Sequence, residues 1–264
     1  MPMRTRHAFF GLLLLYTACR NNEHTTEQPL TDTLSYTYDS VKVYSPFRPE
    51  KAQVNDSTKA VITFPVFKDD TINQFIRRQI FDYIAKEEAA TSYADIVQSF
   101  ISGYDDFFRS NPDTFQSWYL TINIEVLQQK PSYLSIKYSH ADYAGGAHGN
   151  SNITYLNYNP RTHQSVVLDS LIRPGKMGNL IRLAEQIFRK NEKLDPLQSL
   201  EENYFFEKGI FSLPPNFYVN DKGLVFSYNP YEIKPYVYGY TELVIPFNDL
   251  KDLAKPHTIL NPSH

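Results

Sequence analysis

Residues 118–128 read WYLTINIEVLQ, and this stretch decides the fold class. Apolar and polar side chains alternate along it at every second position, which is the pattern of a β-strand with one buried face. Residues 133–143 (YLSIKYSHADY) alternate in the same way, and a further strand is predicted over 151–158. A turn at 159–162 and a short strand at 164–168 follow. We predict that these strands form an antiparallel meander.

The chain beyond this meander predicts helices and a small hairpin. Apolar residues recur at helical spacing from 176 to 192, and a second, short helix is predicted over 199–206. Residues 220–223 (NDKG) are a turn signal that joins two strands into a hairpin. The remaining predicted elements are strands over 217–219, 224–228 and 243–245 and a closing helical turn over 246–253.

The first half predicts two strands followed by two helices. The strands cover 36–44 and 59–67, and Pro65 suits an edge or a strand end because it lacks a backbone N–H. Helices are predicted over 69–88 and 92–113. The inward-facing residues of the first helix are Ile72, Phe75, Ile76, Ile80, Tyr83 and Ile84, and those of the second are Ile96, Val97, Phe100 and Ile101.

Asp69 and Asp70 stand together at the start of the first helix. Paired carboxylates can hold a metal ion, but acidic residues also stabilise a helix N-terminus. Capping is the simpler interpretation, with Asp70 or Thr71 as the predicted N-cap.

The elements together predict an α+β fold, in which helices pack on antiparallel β-sheet. We expect two successive subdomains, an N-terminal one over 36–112 and a C-terminal one over 113–256.

The N-terminus predicts export. Arg4 and Arg6 precede the apolar run 8–16, which is too short to span a bilayer permanently. The stretch YTAC at 16–19 resembles a bacterial lipobox, so we predict a lipoprotein signal peptide over 1–18 and lipid attachment, including palmitate, at Cys19. An ordinary cleaved signal peptide is the alternative. Residues 19–35 are polar and predict a disordered tether, which would hold the protein in the bacterial cell envelope, at the outer membrane.

Charge and cysteine content exclude several function classes. The chain has 26 basic and 29 acidic side chains, and Cys19 is its only cysteine. Removal of residues 1–18 would take away two basic side chains and no acidic one, which leaves a net charge of −5 (24 minus 29). No basic stripe is present, so nucleic acid is not an expected partner, and membrane contact is expected only through the lipid. Lipidation of Cys19 would leave no thiol for a disulfide, a nucleophile or a zinc site.

Residues 142–152 (DYAGGAHGNSN) are the first candidate site. The glycines favour a turn between two strands, and no dinucleotide or phosphate-binding pattern is present, so we predict no cofactor. His148 could bind a metal with His140 or His163, but neither spacing is a known ligand frame, and we predict no metal. His148 could also act as a general base oriented by Asp142, although no nucleophile accompanies it. Asp142, Tyr143 and His148 therefore stand as candidate ligand-binding residues.

Residues 228–240 (YNPYEIKPYVYGY) are the second candidate site. Tyrosine provides rigid, amphipathic area that suits a protein partner or a sugar ring, which makes Tyr231, Glu232 and Tyr236 candidate ligand-binding residues. The alternative is a packed loop whose tyrosines cover the sheet. Glu232 as a catalytic acid would require a second carboxylate nearby.

Four stretches of the second half resemble a known extracellular domain of unknown function. They are DYAGGAHG (142–149), NYNPRTHQSVVLDSLI (157–172), NFYVNDKGLVFSYNPYEIKPYVYG (216–239) and VIPFNDL (244–250). This domain forms the outer part of RsiV-type lysozyme-sensing anti-sigma factors, and the resemblance covers about residues 115–255. TFPVFKDDTINQFIRRQI (63–80) resembles the domain upstream in those proteins, which also precedes the catalytic part of the PdaC-type peptidoglycan deacetylase. That resemblance covers about residues 36–112.

The resemblance implies a binding or sensor module with a lysozyme-like protein or peptidoglycan glycan as its ligand. We expect neither anti-sigma nor deacetylase activity, because the sigma-binding segment and the deacetylase motifs are not found in this sequence. We therefore expect a non-enzymatic envelope lipoprotein without catalytic residues. The alternatives are an envelope hydrolase that uses His148, Asp142 or Glu232, and a purely structural lipoprotein.

Overall fold

The computed structural model describes residues 34–49, 57–86 and 89–261. The predicted signal peptide, Cys19 and the tether up to residue 33 lie outside the described residues. Within the described ranges, no helix is long and apolar enough to cross a membrane.

Six strands form the first sheet in chain order. Each strand from β3 to β6 pairs antiparallel with the next one, so the predicted meander is confirmed. β3 contains a bulge between Val126 and Gln128, where the Val126 N–H donates to the Tyr38 hydroxyl. The strands are β1 (Tyr36–Tyr44), β2 (Lys59–Phe67), β3 (Tyr119–Lys130), β4 (Tyr133–Tyr143), β5 (Asn150–Asn159) and β6 (Gln164–Ser165).

The pairing of β2 with β3 is parallel, and the sequence analysis did not predict it. The pairing joins strands on either side of residue 112, so the first sheet runs across the predicted subdomain boundary. It extends from Lys59↔Tyr119 to Thr63↔Asn123. Pro65 lies beyond its end and, among the described strands, pairs with β1 alone, which suits a residue that cannot donate a backbone hydrogen bond.

Two helices connect β2 to β3. They are α1 (Asp70–Gln79), which continues into a π-helical turn over Ile80–Ile84, and α2 (Tyr93–Ser110). The predicted N-cap, Asp70 or Thr71, was late by one or two residues: Asp69 caps α1, and its Oδ1 accepts from the Thr71 N–H at 2.9 Å. Tyr83 was predicted to face inward but is 70% exposed, because the wider π turn rotates it away from the face of Ile72, Ile76 and Ile80.

Two predictions between the sheets differ from the structure. The strand predicted over 164–168 forms but ends at Ser165, and α3 (Leu168–Leu171) begins at Leu168. No helix forms over 199–206. The Phe205 N–H bonds to the Ile233 carbonyl, and the rings of Tyr204 and Phe206 pack on Phe188, so tertiary contacts override the local helical pattern. The predicted helix over 176–192 is confirmed as α4 (Met177–Asn191).

The second sheet has three antiparallel strands in the order β7–β8–β9. They are β7 (Phe217–Val219), β8 (Gly223–Tyr228) and β9 (Thr241–Pro246), and α5 (Phe247–Leu250) follows. The predicted hairpin at 220–223 is confirmed, with Asn220 Oδ1 accepting from the N–H groups of Lys222 and Gly223. A Cβ at Gly223 would lie 2.0 Å from the Ile245 carbonyl oxygen, so only glycine fits there.

Two hydrophobic clusters form the interior. One lies between the first sheet and the α1–α2 helices, and the other packs the second sheet against α4 and the aromatic loop that follows it. The α+β class with helices on antiparallel-rich sheet is thereby confirmed.

Tyr133 links the two clusters through a buried polar network. Its hydroxyl donates to Asn157 Oδ1 at 2.6 Å and accepts from the Val219 N–H at 2.9 Å. The Asn157 amide in turn donates to the Phe217 carbonyl at 2.8 Å. β4 and β5 are therefore joined to β7 by satisfied hydrogen bonds away from water.

Candidate functional site

The glycine-rich run 144–149 forms the loop between β4 and β5, so the turn interpretation is confirmed. Gly145 and Gly146 have φ angles of 93° and 99°, which side chains strongly disfavour. At Gly149, a Cβ would lie 2.7 Å from the Tyr119 hydroxyl and 2.8 Å from the Asp142 carbonyl oxygen. The loop is thus shaped for close approach to its neighbours.

His148 stacks on Tyr236, which brings together the two stretches that the sequence analysis singled out. The ring centroids are 4.4 Å apart and the planes differ by 19°. The Tyr236 hydroxyl donates to the Gly149 carbonyl at 3.0 Å, and His148 Nδ1 lies 2.8 Å from the same oxygen. Since a carbonyl only accepts, Nδ1 carries the proton in this contact.

Tyr231 extends this stack, and Tyr119 and Tyr143 form a second ring pair beside the same loop. Tyr231 lies 5.6 Å from Tyr236 between ring centroids and is 56% exposed. Tyr119 and Tyr143 stack at 6.2 Å, and the Tyr143 hydroxyl donates to the Gly146 carbonyl. We call Tyr119, Tyr143, His148, Tyr231 and Tyr236 the aromatic surface. Four cavities of about 180 to 500 Å³ in the described residues are lined by other side chains, so the aromatic surface is outside all four.

Asn229 fastens the tyrosine-rich segment to β5. Its Oδ1 accepts from the Ile153 N–H at 2.7 Å, and its amide donates to the Ile153 carbonyl at 3.1 Å. The side chain thus pairs with the strand backbone as a neighbouring strand would. The Glu232 carboxylate accepts from both the backbone N–H and the side-chain amide of Asn229, at 3.0 and 3.3 Å. Glu232 therefore holds the turn that presents Tyr231 and Tyr236.

Tyr228 anchors the start of the same segment. Its hydroxyl donates to the Ser212 carbonyl at 2.7 Å, and the side chain is buried. Burial, followed by the charge of Glu232, raises the pKa of Tyr228, so this anchor stays neutral and keeps donating at physiological pH.

Asp142 contacts His140 rather than His148. Asp142 Oδ1 lies 3.1 Å from His140 Nε2, and the other ring nitrogen of His140 lies 3.4 Å from the Tyr138 hydroxyl. Asn150 donates to Asp142 Oδ2 at 3.4 Å. The hypothesis that Asp142 orients His148 as a general base is therefore corrected: alternation along β4 places His140 and Asp142 on one face.

The three histidines considered as metal ligands have separate partners. His140 faces Asp142, His148 stacks on Tyr236, and His163 Nδ1 lies 3.0 Å from the Tyr158 hydroxyl. In the ranges that the structure covers, no three His, Cys, Asp or Glu side chains are grouped closely enough to hold a metal ion.

Tyr119, His140 and Asn229 belong to this region but were not among the predicted ligand-binding residues, and His140 was considered only as a metal partner of His148. Alternation along the strand could have predicted His140, because it lies two residues before Asp142 and so shares a face with it. Tyr119 pairs with Tyr143 across β3 and β4, which follows from the meander once its register is known. Asn229 had no local signal, because its partner Ile153 is far away in the sequence.

Comparisons with known proteins give two partial matches. Residues 169–248 match a family described as "Protein of unknown function (DUF3298)". Residues 52–151 match the family described as "Deacetylase PdaC". We call these the DUF3298 region and the PdaC-type region. A search of curated proteins found no match.

Solved structures of the DUF3298 family share the fold. One from Bacteroides fragilis has a TM-score of 0.67 at 20% identity and covers 87% of this chain and 97% of its own. One from Pseudomonas aeruginosa has a TM-score of 0.66 at 22% identity and covers 89% of this chain and 100% of its own. At such identity the likeness establishes architecture and carries no function.

Both matched regions contribute residues to the aromatic surface. Tyr119, Tyr143 and His148 belong to the PdaC-type region, and Tyr231 and Tyr236 belong to the DUF3298 region. The stack of His148 on Tyr236 is therefore a contact between the two regions at the protein surface.

Proposed function

We propose that this chain is an exported, lipid-anchored, non-enzymatic binding module of the bacterial cell envelope, and that its aromatic surface receives a lysozyme-like protein. The observation that carries the proposal is the row of rings formed by His148, Tyr236 and Tyr231. This row is exposed at one end and fixed by backbone hydrogen bonds at the other.

Rigid aromatic side chains suit recognition of a macromolecule. Tyrosine supplies large contact area and loses little conformational freedom on binding, and here the hydroxyls of Tyr143 and Tyr236 are already held by loop carbonyls. These two side chains therefore lose little further conformational entropy when a ligand binds. The resemblance to the outer domain of RsiV-type sensors supports a lysozyme-like ligand.

Peptidoglycan glycan is the second candidate ligand, because sugar rings stack on tyrosine faces. The PdaC-type match and the exposed face of Tyr231 favour it. In the hydrolase alternative Asp142 would orient His148 as a general base, but Asp142 faces His140 instead. Glu232 is likewise engaged with Asn229.

The binding experiment is a titration of the purified protein with lysozyme and, separately, with soluble peptidoglycan fragments. Tyr231→Leu and Tyr236→Leu should each weaken binding about tenfold or more, as loss of an aromatic anchor does. Tyr83→Leu is the matched control, since Tyr83 is 70% exposed and lies in the π turn. Binding of neither ligand, or equal loss in the control, would sink the proposal and favour a purely structural lipoprotein.

The anchor is tested separately from the ligand. Metabolic labelling with palmitate should mark the wild-type chain, and Cys19→Ser should abolish the label and release the protein from the membrane fraction. A wild-type chain that is cleaved but unlabelled would show an ordinary signal peptide in its place.

A further inference from the structure

A cavity of about 430 Å³ lies beside α4, on a part of the tyrosine-rich segment that the aromatic surface does not use. The two share no residue. The cavity is lined by Glu192, Leu194, Glu202, Asn203, Tyr204, Phe205, Lys234, Pro235 and Tyr238.

This cavity already holds one ammonium group of the protein itself. Lys234 Nζ lies 2.6 Å from Glu192 Oε1, and the two side chains are only 14% and 23% exposed. The same Nζ lies 5.8 Å from the centre of the Tyr204 ring. A carboxylate and an aromatic face together are the surroundings that stabilise an organic cation away from bulk water.

Tyr204 keeps the carboxylate in place. Its hydroxyl donates to Glu192 Oε2 at 2.9 Å, so each oxygen of Glu192 has one partner. Burial, and then the hydrogen bond and charge of Glu192, raise the pKa of Tyr204, which therefore remains a neutral donor. In the inner part of the cavity, Lys234 and Tyr204 thus both bond to the Glu192 carboxylate.

The outer part of the cavity carries an unmatched negative charge. Glu192 and Lys234 neutralise each other, whereas the Glu202 carboxylate has neither a hydrogen bond nor an ion pair with any residue that the structure covers. Phe205 and Tyr238 line the same cavity and are 54% and 67% exposed. The outer part of the cavity therefore offers a carboxylate and aromatic rings, the same kinds of group that surround the Lys234 ammonium in the inner part.

We propose that the outer part of this cavity receives an organic cation, namely a lysine or arginine side chain of a protein partner. The Glu202 carboxylate supplies the opposite charge, and the rings of Phe205 and Tyr238 supply faces for the cation and its aliphatic stem. The resident Lys234–Glu192 pair closes the inner end, so the incoming group binds beside it without displacing it. The proposal stands independently of the aromatic surface.

The test uses small probes of matched shape, followed by two-dimensional NMR of the nitrogen-labelled protein. Gly-Arg-Gly with both termini blocked should cause saturable shifts at the backbone amides of Phe205 and Tyr238, and the equally blocked Gly-citrulline-Gly, which carries no charge, should not. Butylammonium tests whether the site binds a small free amine. If it binds as well as the peptide, the site takes small amines, and if the peptide binds more tightly, the site takes a protein side chain; either result supports a cation site.

Variants then assign the effect to the cavity. Glu202→Gln should weaken Gly-Arg-Gly binding about fivefold, the size expected for one solvated charge pair at contact distance. Glu207→Gln is the matched control, since Glu207 is exposed and lies outside the cavity lining. Equal binding of the citrulline peptide, no shift at Phe205 and Tyr238, or equal weakening in both variants would each overturn the proposal.

Discussion

Tyr133 and Tyr236 both join the PdaC-type region to the DUF3298 region, in opposite environments. The Tyr133 side chain is fully buried, and its hydroxyl both donates and accepts between β4, β5 and β7. Tyr236 is half-buried, donates to a loop carbonyl and stacks on the exposed His148. Water can replace the hydrogen bond of Tyr236, but it cannot replace those of Tyr133, because the Tyr133 side chain is buried. The difference indicates that the buried contact provides stability, whereas the surface contact is available for a ligand.

The largest expected effect is at the buried contact. Tyr133→Phe should lower the free energy of unfolding by about 2–4 kcal/mol, because Asn157 Oδ1 and the Val219 N–H would both lose a partner inside the protein. Urea unfolding measures the loss, and ligand binding by the folded fraction should be unchanged. Tyr44→Phe, at a tyrosine that is 57% exposed, is the control. A loss as small as in the control would break the comparison.

The pH dependence of the same variant sharpens this prediction. Burial raises the pKa of Tyr133 in the folded protein above the ordinary value of 10.0. The folded state then binds more protons than the unfolded state at higher pH, so the contribution of Tyr133 is present below pH 10 and is lost as pH rises. The stability difference between wild type and Tyr133→Phe should therefore shrink above pH 10. A constant difference would show that the hydroxyl does not titrate differently on folding.

Substitution of Asn229 should have an effect on stability between those expected at Tyr133 and at Tyr236. Asn229→Ala should lower the free energy of unfolding by about 1–2 kcal/mol, because the Ile153 N–H loses its partner, whereas the Ile153 carbonyl keeps the bond from the Asn216 amide. It should also weaken ligand binding, since the segment that carries Tyr231 and Tyr236 loses its attachment to β5. Both quantities need to be measured on one preparation. Reduced stability with unaltered ligand binding would separate Asn229 from the aromatic surface.

The hydroxyl of Tyr236 is expected to matter less for stability. Tyr236→Phe keeps the ring against His148 and removes only the bond to the Gly149 carbonyl, which water can satisfy. We expect a loss of about 0.5–1 kcal/mol in unfolding free energy. Ligand binding should weaken less than in Tyr236→Leu. The comparison fails if the phenylalanine variant is as unstable as Tyr133→Phe.

His148 should show the smallest change in stability and a clear change in binding. His148→Ala removes an exposed ring, so the unfolding free energy should shift by no more than about 0.5 kcal/mol. Affinity for the ligand should fall about tenfold. A variant that loses stability and keeps its ligand would establish His148 as part of the turn alone.

Strands were predictable from the sequence where one face is buried and neighbours follow in order. The meander from β3 to β6 and the hairpin at 220–223 depend on alternation and turn residues, which are local signals. The parallel pairing of β2 with β3 has no such signal, because the partners are separated by two helices. The helix predicted over 199–206 failed because its aromatic residues have stronger partners on α4.

The candidate site was predictable residue by residue, but its assembly was not. Glycine density located the loop, and tyrosine density located the segment. That His148 stacks on Tyr236 depends on how Asn229 attaches to β5, a contact across 76 positions that composition does not encode. Asp142 was associated with the wrong histidine for the opposite reason: the correct partner was two residues away on the same strand.

The parallel pairing of β2 with β3 has a consequence for how the chain folds. The β3–β4–β5 hairpins can close as soon as those residues exist, since their partners are neighbours in sequence. β2 must wait until α1 and α2 have formed and turned the chain back, because loop closure over that distance costs more entropy. Completion of the first sheet is thus expected as the slow step, with the β4–β5 loop already shaped before the β1–β2 pair docks beside it.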